Sequence, residues 1–71
     1  MASAIFVNGE RREDLVPGLS VVELVEAFGL PAEGRGVAIA VDGEVVPRGE
    51  WATHAIAAGA EVELVQAIQG G

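Results

Sequence analysis

The spacing of hydrophobic positions changes along this 71-residue chain, and each change marks an element. Ala4-Ile5-Phe6-Val7 is a short apolar run that stops at Asn8-Gly9. That pair suits a two-residue type I′ turn, whose central positions both need positive φ, so a second strand is expected across residues 10–15. Pro17-Gly18 breaks the pattern, and Ser20-Val21-Val22-Glu23 has the form of a capping box, in which hydroxyl and carboxylate each accept a backbone amide. Val21, Leu24, Val25 and Phe28 then fall at i, i+3, i+4 and i+7, one face of a helix that Gly29 is placed to close.

Residues 31–36 read as a loop, with Gly34 and Gly36 on either side of Arg35. Val37-Ala38-Ile39-Ala40-Val41 puts large residues on one face and alanines on the other, which predicts a strand beneath the helix and the centre of the sheet. Asp42-Gly43 is a second hairpin turn, leading to the short strand Glu44-Val45-Val46, which Pro47 ends by removing an amide donor. Residues 48–54 predict a turn or a single helical turn, Ala58-Gly59 another turn, and Glu61-Val62-Glu63-Leu64-Val65 alternates as a last strand. The order is ββαβββ. One helix stripe over strands this short predicts an α+β domain with a mixed sheet of four to five strands, a single unit over residues 1–71.

Composition narrows the function classes. The chain is 51% apolar and has no cysteine, so it is expected to fold without disulfide or metal support. Stability of about 4 to 10 kcal/mol is ordinary for this length. Eleven acidic residues against four arginines and no lysine give a formal charge of −7, which opposes binding to nucleic acid or anionic membranes and favours a basic partner surface. Without a membrane-length apolar run or a secretory signal, a cytoplasmic location is the expectation. One histidine, three serine or threonine residues and no phosphate-binding glycine loop ahead of a helix leave little for a freestanding enzyme.

The candidate chemistry lies at Gly70-Gly71. At this chain's own glycine frequency a terminal pair arises by chance roughly 2% of the time. A diglycine segment is thin and takes φ of either sign, so it can enter a narrow slot and deliver a carboxylate there. A flexible tail over residues 67–71 is expected, reaching roughly 15 Å beyond the last strand when extended.

Element order, size and the glycine pair together resemble the β-grasp, or ubiquitin-like, fold, and within it the ThiS-type sulfur carriers of thiamine biosynthesis. The segment Ala40-Val41-Asp42-Gly43-Glu44-Val45-Val46-Pro47-Arg48-Gly49-Glu50-Trp51 is similar to that family's alanine, aliphatic, asparagine, then valine-proline-arginine and tryptophan pattern, and residues 62–71 are similar to its final strand and Gly-Gly. Two positions depart from it: Asp42 stands where the family often has asparagine, and Ala58-Gly59-Ala60 replaces a commoner Asp-Gly-Asp turn.

The resemblance implies a carried substrate and not an enzyme. A ThiF-like adenylating enzyme would join the Gly71 carboxylate to AMP from ATP, a sulfur nucleophile from a donor protein would displace AMP, and a ThiG-like thiazole synthase would take sulfur from the thiocarboxylate. No cofactor would be bound by the chain itself. Gly71 would be the reacting position and Gly70 would give clearance, with Val65, Ala67, Ile68 and Phe6 as partner-interface candidates. The small subunit of molybdopterin synthase, another thiocarboxylate carrier, and a non-reacting ubiquitin-like interaction module stay open as alternatives.

Other singular residues have structural readings. Trp51, the one tryptophan, suits an anchor for the turn after Pro47. Arg48 is expected to make a structural hydrogen bond or to stand as a solvated charge. His54 has no second histidine, cysteine or paired carboxylate nearby in sequence and is expected at the surface. Phe6, between Ile5 and Val7, is expected on the outer sheet face, either as an ordinary exposed apolar residue or as an interaction spot.

Overall fold

Both Asx-Gly pairs close hairpins by taking the positive φ that type I′ turns demand: 52° and 82° at Asn8 and Gly9, 51° and 86° at Asp42 and Gly43. The structure, a computed structural model, describes residues 4–67. The first turn joins β1 (Ile5–Val7) to β2 (Glu10–Arg12), in register Ile5 with Arg12 and Val7 with Glu10. β2 is shorter than the expected 10–15. The Arg12 guanidinium donates two hydrogen bonds to the Asp14 carboxylate, at 2.9 and 2.8 Å, across a turn that swings Leu15 into the core.

The helix α1 (Val21–Ala27) starts and stops where the sequence predicts. The Glu23 amide donates to Ser20 Oγ at 3.1 Å and the Ser20 amide to Glu23 Oε1 at 2.8 Å, which satisfies two otherwise orphaned donors. At its other end Gly29 takes φ of 76° and donates to Glu26, while Leu30 donates to Val25; these are the two bonds of a Schellman cap. Val21, Leu24 and Val25 are fully buried. Phe28 is half-buried, with the Arg12 guanidinium 4.5 Å above its ring.

β3 (Val37–Val41) and β4 (Glu44–Val45) form a hairpin across the second turn, a 3₁₀ turn occupies Arg48–Glu50, and β5 (Glu61–Gln66) is the last strand of the chain's described part. The sheet order is β2-β1-β5-β3-β4. β5 runs parallel to β1 (Val7 with Val62) and antiparallel to β3 (Val41 with Val62, Val37 with Gln66). The ββαβββ order, the single helix and this mixed five-stranded sheet make the expected β-grasp. One placement is corrected: the central strand is β5, and β3 lies beside it. β3 reads as central because it is apolar on both faces, but its alanines line the open face and only Ile39 and Val41 are buried.

The core forms where α1 crosses the inner face. Ile5, Val7, Ile39, Val41 and Val62 come from the sheet, and Leu15, Val46, Trp51 and Ile56 from the connections. Trp51 is 3% exposed and donates its indole N–H to the Val46 carbonyl at 2.9 Å, so the ring is buried with its one polar atom satisfied.

Candidate functional site

β5 delivers the chain toward Gly70-Gly71, and three contacts pin it. At its start Asp42 donates its amide to the Glu61 carbonyl (2.8 Å) and accepts the Glu61 amide on Oδ1 (3.0 Å). Along its middle the side chain of Asn8 behaves as one more strand residue: Oδ1 accepts from the Leu64 amide at 2.9 Å and Nδ2 donates to the Leu64 carbonyl at 3.1 Å. The two turn residues therefore do a second task, extending the ladder on both flanks of β5. An aspartate suffices at position 42, because the Glu61 amide needs only an acceptor.

At its far end, the Ala67 amide donates to the Gly36 carbonyl at 2.6 Å, so pairing continues one residue past β5. Gly36 belongs to a loop that is itself fastened. Gly34 has φ of 74°, and a Cβ placed on it would fall 2.5 Å from Cη2 and Cζ3 of Trp51, so the backbone lies directly on the indole. Arg48 Nη1 donates to the Glu33 carbonyl at 2.8 Å, the first of the two roles expected of it. A physical path thus runs from the Pro47-Arg48 and Trp51 segment, through residues 33–36, to Ala67. The sequence signal for this path was Gly34-Arg35-Gly36, two glycines that composition alone assigns to a loop.

Of the interface candidates, Val65 is 62% exposed and Ala67 is exposed, while Phe6 is half-buried. Register puts Phe6, Val65, Ala38 and Val45 on the sheet face away from the helix: Phe6 pairs with Glu61, Ala38 with Val65 and Ala40 with Val45. Val45 is 75% exposed, an apolar position that the sequence reading did not single out. Ile68, Gly70 and Gly71 lie outside the described residues, as does all of the expected 67–71 tail except Ala67.

The remaining polar groups do not converge. His54 is half-buried, and its carbonyl accepts the Val21 amide at 3.0 Å. Among the described residues no three His, Cys, Asp or Glu side chains are grouped to hold a metal, and no helix is long and apolar enough to cross a membrane. Asp14 is held below the usual carboxylate range by the hydrogen bond from Arg12, a pairing that belongs to the turn after β2.

Comparison with known proteins agrees with this architecture. The ThiS family model matches residues 3–71. The sulfur carrier protein ThiS of Escherichia coli is 39% identical over 54 residues, covering 76% of this chain and 79% of the relative. The crystal structure of the thiamine biosynthesis protein ThiS from Geobacter metallireducens superposes with a TM-score of 0.77 at 29% identity, covering 96% of this chain and 99% of that one. The solution structure of the Geobacter protein gives 0.79 at 28% identity, covering 96% and 87%. With a family match spanning nearly every residue and a curated relative of this likeness, the chain belongs to the ThiS family.

Proposed function

We propose that the chain is a cytoplasmic sulfur carrier of thiamine biosynthesis, loaded at the carboxylate of Gly71 and serving as substrate for other enzymes. The observation that carries this reading is the anchoring of β5. The central strand is bonded on both flanks and at Ala67, so the diglycine segment is carried on the best-tethered strand of the sheet.

A carboxylate resists substitution because its charge is delocalised and oxide is a very poor leaving group. In the proposed sequence a partner adenylating enzyme of the ThiF kind attaches AMP from ATP to Gly71, releasing pyrophosphate. Sulfide (HS−) supplied by a donor protein then attacks the acyl carbon; the C–S bond forms as the C–O bond to AMP breaks, AMP leaves, and loss of the S–H proton leaves the thiocarboxylate. One hard substitution becomes two easier ones. The resulting thiocarboxylate passes sulfur to a thiazole synthase of the ThiG kind. ATP and the acid-base groups belong to the partners, and this chain supplies the acyl group and the surface that presents it. Phe6 and Val65 on the open sheet face, with Ala67 and Ile68 at the root of the tail, are the proposed docking contacts.

Adenylation tests the reading. Residues added after Gly71 displace the carboxylate and abolish AMP transfer, and Gly70→Ala slows it because a Cβ meets the slot. Normal adenylation of both variants by the cognate enzyme contradicts the mechanism.

A further inference from the structure

Arginines supply all of this chain's side-chain cations other than His54, and two of the four are engaged locally. Arg11 lies 3.1 Å from the Glu13 carboxylate and Arg12 grips Asp14. Among the described residues Arg35 and Arg48 have no such partner within 4 Å, and both line one recess of about 360 Å³ together with Pro31 and Glu33. Two guanidinium groups against the single carboxylate of Glu33 leave the recess net positive on a chain of net charge −7.

The recess is built into the root of the tail. Arg35 sits between Gly34, packed on Trp51, and Gly36, whose carbonyl holds Ala67. Arg48 is oriented by its bond to Glu33, which uses one of its five N–H donors and leaves the others free. A planar guanidinium held in this way matches a carboxylate or a phosphate.

We propose that the Arg35–Arg48 recess seats a carboxylate side chain of the adenylating enzyme and so sets the line along which the tail enters that enzyme. The proposal rests on the carrier reading above. Reach decides between a carboxylate and the nucleotide. A tail inserted in a slot is extended, and residues 68–71 then carry Gly71 about 13 Å beyond Ala67, whereas Arg35 stays at the root. The phosphate joined at Gly71 is therefore beyond the recess. Nucleic acid is opposed by the surrounding negative charge. A carboxylate at the mouth of the slot meets attraction in the recess and repulsion over the rest of this acidic surface, which selects one orientation of docking.

The test uses the full chain and its adenylating enzyme. Arg35→Ala raises KM for the carrier in ATP-dependent adenylation roughly five- to tenfold with kcat unchanged, and Arg35→Glu raises it further. Arg35 is exposed, and the fluorescence of Trp51 confirms that each variant is folded. Because the chain has no lysine, Arg35→Lys introduces a single side-chain amine in the recess. Carbodiimide treatment of that variant with the enzyme is expected to yield an amide link from position 35 to an aspartate or glutamate of the enzyme, located by mass spectrometry. Unchanged KM in the Ala and Glu variants, or a link only to this chain's own carboxylates, overturns the proposal. Failure of the wild-type chain to be adenylated at all removes the carrier reading, and the proposal with it.

Discussion

Gly34→Ala probes the joint between the Trp51 anchor and the loop that holds Ala67. The new Cβ would lie 2.5 Å from Cη2 and Cζ3 of Trp51 and 3.1 Å from Cδ of Arg48. Arginine can swing aside, but the indole is 3% exposed and tied to the Val46 carbonyl. Two costs combine: about 1 to 2 kcal/mol for an L-residue in the left-handed region, and about 1 to 3 kcal/mol for forcing atoms into a packed core. The sum, about 2 to 5 kcal/mol, is a large share of the roughly 4 to 10 kcal/mol expected for the domain. Gly43→Ala is the control, since Gly43 has φ of 86° and nothing within 4 Å of its added Cβ. It bears the first cost alone, and the gain from a stiffer unfolded chain is common to both variants. Urea unfolding followed by Trp51 fluorescence should show a much lower midpoint for Gly34→Ala than for Gly43→Ala at similar m. Trp51→Phe removes the two clashing atoms, so by circular dichroism Gly34→Ala should cost less in that background. Equal losses at the two glycines, or no relief from Trp51→Phe, would refute the packing argument.

Three further outcomes follow from the geometry. Asn8→Gly tolerates the positive φ but deletes both side-chain bonds to Leu64, so it should cost about 1 to 2 kcal/mol and speed hydrogen exchange at the Leu64 amide, whereas Asp42→Asn keeps its acceptor and should change little. Ser20→Ala removes the helix cap and should lower stability by about 1 kcal/mol in urea titrations. Asp14 has its folded pKa depressed by Arg12, so its contribution is present above the unfolded pKa and is lost as pH falls through the folded one; Asp14→Asn should flatten the acid limb of the stability profile, measured from urea midpoints across pH.

Local chemistry was legible where a residue type has one use. The two Asx-Gly turns, the capping box and Gly29 sit where the sequence places them, because positive φ and orphaned amides allow few alternatives. Sheet order was less legible. The alternating glutamates of β5 resemble a solvent-facing edge, and only the parallel pairing with β1 makes it central. β2 ends three residues earlier than its sequence pattern suggests because Arg12 closes on Asp14 and redirects Leu15 inward. At the candidate site, glycine and tryptophan were visible separately. Their contact, and the second use of Asn8 and Asp42 as ladder residues, depend on side-chain positions that strand periodicity does not encode. The resemblance in two separated segments acquires a physical link in the loop over residues 33–36, which touches both.

The central claim is that Gly71 receives sulfur, and intact mass spectrometry reads this directly. Incubated with ATP, a sulfur source and the cognate adenylating enzyme, the chain is predicted to gain the mass of one oxygen replaced by one sulfur, located at Gly71 by fragmentation and absent when ATP is omitted. An unchanged mass with active enzyme, or sulfur placed anywhere else on the chain, would contradict the account.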